Sequence, residues 1–315
     1  MLTLTRSSFR HCAASGDKIL TRSITPKSYR LFTTNEQPQV VDLDYNAAIP
    51  ADGNANKGAL VILHGLFGSK RNWGSLTKAF MRDLKRPVYA LDLRNQGSSP
   101  HASPMTYTHM AADVLYFARQ RSLSGITLLG HSMGGKVAMA LALQTDLPEG
   151  LLSKLIVEDV APARTEISAS FKEYVKGMQA IEAASVKSRK EATEILEQYE
   201  KDPSIHQFLL TNLHVPSASS KEVAKFQIPL TLIGESIPEI GWFPYAPGER
   251  TWNGPTLFVK GSRSKYINRH NLPICKQFFP SMKLEELDTD HWVHSEKPND
   301  FKEMVLRFMR ESESA

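Results

Sequence analysis

Short runs of apolar, often β-branched residues recur along the chain, each followed by a stretch with helical spacing. Ala59–Leu63, Val88–Leu93, Ile126–Leu129, Leu155–Val157, Thr256–Val259 and Lys283–Leu287 read as six strands. Trp73–Leu84, Thr108–Arg121, Gly134–Gln144 and Pro298–Arg310 read as helices between or after them. Near-continuous apolar strands separated by helices predict an α/β protein with a mostly parallel sheet and helices on both faces. Ahead of them, Pro38–Tyr45 reads as an edge strand, and the turn-rich Ala51–Gly58 as a hairpin insertion. Residues 163 to about 250 break the alternation. Phe171–Gln179, Lys190–Tyr199 and His206–Leu213 have helical spacing, and a proline-rich tail follows through Pro229, Pro238, Pro244 and Pro247. A helical insertion between two sheet strands predicts a cap, which would shape a substrate pocket and exclude water.

Charge changes the picture at one end only. The 315 residues carry 38 Lys and Arg against 33 Asp and Glu. Residues 1–35 hold Arg6, Arg10, Lys18, Arg22, Lys27 and Arg30 against Asp17 alone, so the remainder is electrically balanced and a nucleic-acid role loses its support. That segment is also rich in Ser and Thr, the composition of a mitochondrial transit peptide. The expected mature domain is therefore 36–315, in the mitochondrion, with the matrix as the destination. No apolar run approaches the ~20 residues of a membrane helix. Of two cysteines, Cys12 falls in the leader and Cys275 reads as a packing residue.

The candidate chemistry centres on Gly130–Gly134, G-H-S-M-G, set between the strand Ile126–Leu129 and a helical stretch. A serine on such a strand-to-helix corner projects its oxygen from the sheet edge, and Ser132 reads as a nucleophile. A serine hydroxyl needs a positioned base. His291, directly after the last strand, is the candidate, with His294 as the fallback. The loop after Thr256–Val259, where many such enzymes carry the acid, reads G-S-R-S-K-Y-I and holds no carboxylate. Glu158 and Asp159 end the strand after the elbow helix, and Asp159 lies at the end itself, where catalytic groups gather in open α/β sheets. The backbone N–H groups of Met133 and Leu66 are the expected oxyanion donors, with Phe67 as the alternative to Leu66. Arg94 reads as a loop brace through Asp92. No phosphate cradle or His/Cys metal pattern is present, and a Ser/His/Asp mechanism needs no cofactor.

Five motifs together resemble the α/β-hydrolase superfamily over residues 38–312. They are H-G-L-F-G-S at His64–Ser69, R-N-Q-G-S-S-P-H at Arg94–His101, G-H-S-M-G-G-K at Gly130–Lys136, D-V-A-P at Asp159–Pro162 and H-W-V-H-S-E-K-P at His291–Pro298. The resemblance is greatest to the branch of mitochondrial abhydrolase-domain-containing protein 11, small bacterial esterases and yeast ethanol acetyltransferases. It implies that the D-V-A-P aspartate, Asp159, is the acid. The chain departs from that branch at Gln96, where His is usual, and at Asp290, where Gly is usual; a carboxylate beside His291 would raise its basicity. The expected activity is hydrolysis of short acyl esters or thioesters through an acyl-enzyme. Two other readings stay open: transfer of an acetyl group from acetyl-CoA to an alcohol such as ethanol, and a hydrolase-like module that binds a mitochondrial partner without catalysis.

Overall fold

The computed structural model describes residues 39–164, 167–217 and 219–311, all within the unit Pro38–Ala315; the expected leader lies outside the described residues. Seven strands form one sheet: β1 (Tyr45–Ala48), β2 (Leu60–Leu63), β3 (Val88–Leu91), β4 (Ile126–His131), β5 (Leu152–Glu158), β8 (Thr256–Gly261) and β9 (Met282–Leu287). Two short strands, β6 (Leu213–His214) and β7 (Lys225–Phe226), pair separately. The sheet order is β1-β3-β2-β4-β5-β8-β9, and every pairing is parallel except β1 with β3.

Alternate residues of the central strands feed two cores. Leu60, Ile62, Val88 and Ala90 pack with α1 (Gly74–Leu84) and α10 (Pro298–Glu311). Val61, Leu63, Leu91 and Leu128 pack with α2 (Tyr107–Gln120) and α3 (Met133–Ala142) on the other face. Both faces are covered, so these strands read in the sequence as continuous apolar runs rather than as alternations.

Two expectations near the start are corrected. Residues 39–44 do not join the ladder. Val41 N–H donates to Asp113 Oδ1 at 2.8 Å and Asp44 N–H to Ser99 Oγ at 2.9 Å, so side chains take these two N–H groups, and a single backbone bond, from Asp92 N–H to Asp44 O at 2.8 Å, leads into the ladder. The paired strand begins at Tyr45. Residues 51–58 are not a hairpin, because β3 lies between β1 and β2.

Between β5 and β8 the chain inserts α4 (Ala169–Ala183), α5 (Arg189–Leu196), α6 (Pro203–Leu210), the β6–β7 pair and α7 (Leu230–Gly241). The proline-rich tail hides α7. Leu230, Ile233, Ile237 and Ile240 are all buried and fall on one helical face, and that burial outweighs the hydrogen bond lost at Pro238. Helix α8 (Leu272–Phe278) is a second addition. It carries its proline in the first turn, where no intrahelical N–H is needed, and buries Cys275 completely, which pushes that thiol up to about 12. The short α9 (Val293–Glu296) leads into α10. Among the described residues, no helix is long and apolar enough to cross a membrane.

Candidate active site

Ser132 stands between the end of β4 and the start of α3 with φ 52° and ψ −117°, outside ordinary backbone space for a residue with a side chain. The flanking glycines make that corner possible. A Cβ on Gly130 would lie 2.2 Å from Gly134 O, and one on Gly134 would lie 2.4 Å from Leu63 O. Ser132 N–H donates to Glu158 O at 3.0 Å, tying the corner to the end of β5.

Asp159 is fully buried just past β5, also with positive φ, at 49°. Its Oδ2 lies 2.8 Å from His291 Nδ1. With the carboxylate as acceptor, Nδ1 carries the proton and Nε2 keeps its lone pair. His291 and Ser132 line one cavity. The structure thus brings Ser132, Asp159 and His291 to the same end of the sheet. The loop that holds no carboxylate serves Asp159 in another way: Gly261 N–H donates to Oδ1 at 3.2 Å and the Ser264 hydroxyl donates to Oδ2. The Tyr266 ring stacks on His291 at 4.1 Å. Neither Ser264 nor Tyr266 stands out in the sequence, because a loop serine or tyrosine carries no local sign of the buried carboxylate or ring it meets about 100 or 25 residues away.

Leu66 and Met133 line a second, smaller cavity together with Ser132. Met133 is the first residue of α3, where a backbone N–H has no intrahelical acceptor. The loop carrying Leu66 is braced from below by His64. Leu93 N–H donates to His64 Nε2 at 3.0 Å, which leaves Nδ1–H to donate to Gly65 O at 2.7 Å. Burial lowers the His64 pKa and keeps the ring neutral in that role. Phe67, the alternative to Leu66, takes φ 62°, and its carbonyl accepts from Asn212 Nδ2 of the insertion at 2.8 Å.

Three further buried groups lie within three residues of these in sequence. His131 Nε2–H donates to His291 O at 3.0 Å. Glu158 Oε1 accepts from His294 N–H at 2.8 Å and lies 2.7 Å from His294 Nδ1. Burial pushes Glu158 up to about 7 and His294 down to about 3, so at neutral pH the pair holds its proton on or near the carboxyl rather than as an ion pair. His294, the fallback base, is therefore committed to Glu158 and to a stack on Trp73 at 4.1 Å. His131, Glu158 and His294 can each offer one ligand atom to an ion, all within 4.8 Å of one another. Their spacing in sequence hides that cluster; Glu158 Oε1 is taken by His294, while the buried Glu158 Oε2 has no hydrogen-bond partner among the described residues.

One expectation about charge is corrected. Arg94 does brace the fold, but through Asp113, with Nε–Oδ2 at 2.6 Å and Nη2–Oδ1 at 2.7 Å and both side chains fully buried. Asp92 instead takes Lys70 Nζ at 2.5 Å. Asp290 is exposed and faces Arg263 at 3.3 Å, so the carboxylate held against the His291 ring is Asp159.

A family model described as alpha/beta hydrolase fold matches residues 58–298. The chain is 37% identical over 276 residues to the sn-1-specific diacylglycerol lipase ABHD11 of Xenopus tropicalis, covering 86% of this chain and 83% of that protein. It is 36% identical over 298 residues to a probable alcohol acetyltransferase of Saccharomyces cerevisiae, covering 88% and 86%. A solved marine microorganism esterase aligns with a TM-score of 0.73 at 31% identity, covering 85% of this chain and 99% of that one. The family match spans the sheet from β2 to β9, the elbow and the insertion alike, and the chain belongs to the α/β-hydrolase fold family.

Proposed function

We propose that the protein is a serine hydrolase that cleaves short acyl esters or thioesters through an acyl-enzyme, with Ser132, His291 and Asp159 as its catalytic triad. The observation that carries this reading is the 2.8 Å hydrogen bond from His291 to buried Asp159, in a cavity shared with a serine on a left-handed corner. His291 Nε2 takes the Ser132 proton as Oγ bonds to the acyl carbon. The oxyanion is held by the N–H groups of Leu66 and Met133, each worth ~3–4 kcal/mol in the transition state. The imidazolium then gives its proton to the leaving oxygen or sulfur as the acyl bond breaks. Water repeats the sequence and frees the acid. Asp159 fixes the tautomer and stabilises the imidazolium; Gly261 and Ser264 hold Asp159. The insertion acts as the cap, since Phe171, Tyr174 and Phe208 wall the cavity.

A fluorophosphonate probe tests the reading: labelling of the wild type that disappears in Ser132→Ala supports it, and labelling that survives the substitution removes Ser132 from the role. Acyl transfer to an alcohol is the second reading, favoured by the likeness to the yeast acetyltransferase. Supplying acetyl-CoA and ethanol and measuring ethyl acetate against free acetate separates the two. The leader composition supports a mitochondrial matrix address, which residues 1–35 fused to a fluorescent protein would report.

A further inference from the structure

One charged side chain lines the cavity that Ser132, Leu66 and Met133 share, and the proposed mechanism does not use it. Lys136 is the last residue of the motif Gly130–Lys136, and it is buried. Its backbone N–H donates to Ser132 O at 3.1 Å, so the two residues stand one turn apart on the same side of α3. Nζ donates to Gly241 O at 3.1 Å and to Trp242 O at 3.2 Å, at the C-terminal end of α7, and lies 5.5 Å from the centre of the Tyr107 ring. The insertion thus holds the ammonium in place.

An ammonium has three N–H donors, and the two carbonyls take two of them. Carbonyls and a ring soften the charge without neutralising it. Among the described residues no carboxylate pairs with Lys136, and the cavity wall holds no Asp or Glu. Burial pulls the ammonium down to about 8, which leaves it charged at neutral pH. A lysine is almost never fully buried unless it is paired. Here an uncompensated cation with one unclaimed donor lines the same cavity as the nucleophile.

We propose that Lys136 binds a carboxylate carried by the acyl group, so that the substrates are mono-esters or mono-thioesters of short dicarboxylic acids. The proposal rests on the Ser132–His291–Asp159 reading and goes further by naming a charged group on the substrate. The acyl group is the part that stays bonded to Ser132 Oγ after the first step, and His291, which must reach the leaving atom, is not in this cavity's wall. One helical turn, ~5.4 Å, separates Ser132 from Lys136 along α3, a span on the scale of a succinyl or glutaryl chain. Hydrolysis consumes one water and releases the dicarboxylic acid with the alcohol or thiol; Lys136 keeps its proton throughout and only holds the anion.

The test uses the full chain and pairs of esters that differ in charge but hardly in size. Ethyl hydrogen succinate and ethyl hydrogen glutarate are compared with ethyl succinamate and ethyl glutaramate by the ethanol released. In at least one pair, the wild-type kcat/KM is expected to be at least fivefold higher for the anion; a smaller ratio in both pairs overturns the proposal without any variant. Lys136→Gln keeps a donor for the α7 carbonyls and removes the charge, and should lower that ratio at least fivefold. If Lys136 only braces α7, both members of a pair lose rate together and the ratio stands, which overturns the proposal as well. Lys136→Met is the second variant if Lys136→Gln does not fold. Carboxymethyl butyrate, with its anion on the alcohol, is expected to show no such advantage over carbamoylmethyl butyrate; an advantage there instead would put the anion on the leaving group and overturn the assignment. Ser132→Ala is run beside them. Wild-type rates in that variant would sink the triad reading itself, whereas an inactive Ser132→Ala with no charge preference in the wild type sinks only the role of Lys136.

Discussion

Replacing Glu158 by glutamine should change the stability of the protein by an amount that depends on pH. Burial lifts the Glu158 carboxyl from 4.5 to about 7, so the folded chain holds that proton through a range in which the unfolded chain has released it. A raised folded pKa contributes stability that is fully present below pH 4.5 and is lost as pH climbs to about 7. At about 1.4 kcal/mol per pH unit, the loss over that window is about 3 kcal/mol. His294 works in the opposite direction. Burial lowers it from 6.5 to about 3, and its contribution is present above pH 6.5 and lost as pH falls to about 3. Between pH 4.5 and 6.5 the folded and unfolded pair therefore hold one proton each, on the carboxyl when folded and on the imidazole when unfolded, and the two slopes cancel. Glutamine removes the carboxyl and leaves His294 uncompensated. Wild type and Glu158→Gln are unfolded in urea at pH 4.5, 5.5, 6.5 and 7.5. The variant is expected to gain about 3 kcal/mol on the wild type from the first pH to the last. A difference that stays constant across the range would show that Glu158 does not hold its proton in the folded state and would refute the reasoning.

Gly130→Ala puts a Cβ 2.2 Å from backbone Gly134 O, where no side chain can give way, so the elbow must open. A misplacement of ~1 Å costs about a hundredfold, and the loss is expected in kcat for p-nitrophenyl acetate; unchanged kcat would mean the close approach is not needed. Arg94→Met strands the buried Asp113 carboxylate and should cost about 3–5 kcal/mol in urea unfolding, with much of it recovered in Arg94→Met/Asp113→Leu. A cost below about 1 kcal/mol would argue that water reaches the pair. Ser264→Ala removes one donor to Asp159, and hydrogen bonds to charged groups contribute about 1.5–3 kcal/mol. The expected result is a drop of at least tenfold in kcat with KM within twofold, and an equal change in both would make Ser264 a binding rather than a positioning residue.

The parts of the fold that the sequence announces are those in which local chemistry and tertiary packing agree. Leu60–Leu63 and Val88–Leu91 are apolar at every position because helices cover both faces, and they were legible for that reason. Helix α7 was not, because Pro238 argued locally against a helix whose buried Leu230, Ile233, Ile237 and Ile240 decide the matter. The stretch before β1 failed in the opposite sense: its pattern is that of a strand, but Asp113 and Ser99 take its hydrogen bonds from 72 and 55 residues away. In the candidate site, Ser132 and His291 announce themselves by spacing and position, and Asp159 by its place at the end of β5 and by the lack of a carboxylate in the loop after β8. The Glu158–His294 pair and the Ser264 donor depend on residues more than 100 positions apart, and no local pattern records such a pairing.

The two left-handed residues, Ser132 at φ 52° and Asp159 at φ 49°, bear on how the protein would evolve in the laboratory. A strained backbone at a side-chain-bearing residue costs of order 1–3 kcal/mol, and glycine relieves it. On the proposed mechanism, heat resistance and turnover then pull on the same two codons in opposite directions. A library selected for thermal survival alone should enrich glycine at position 132 and return folded, heat-resistant and inactive protein. Any campaign to harden this scaffold has to select for catalysis at every round.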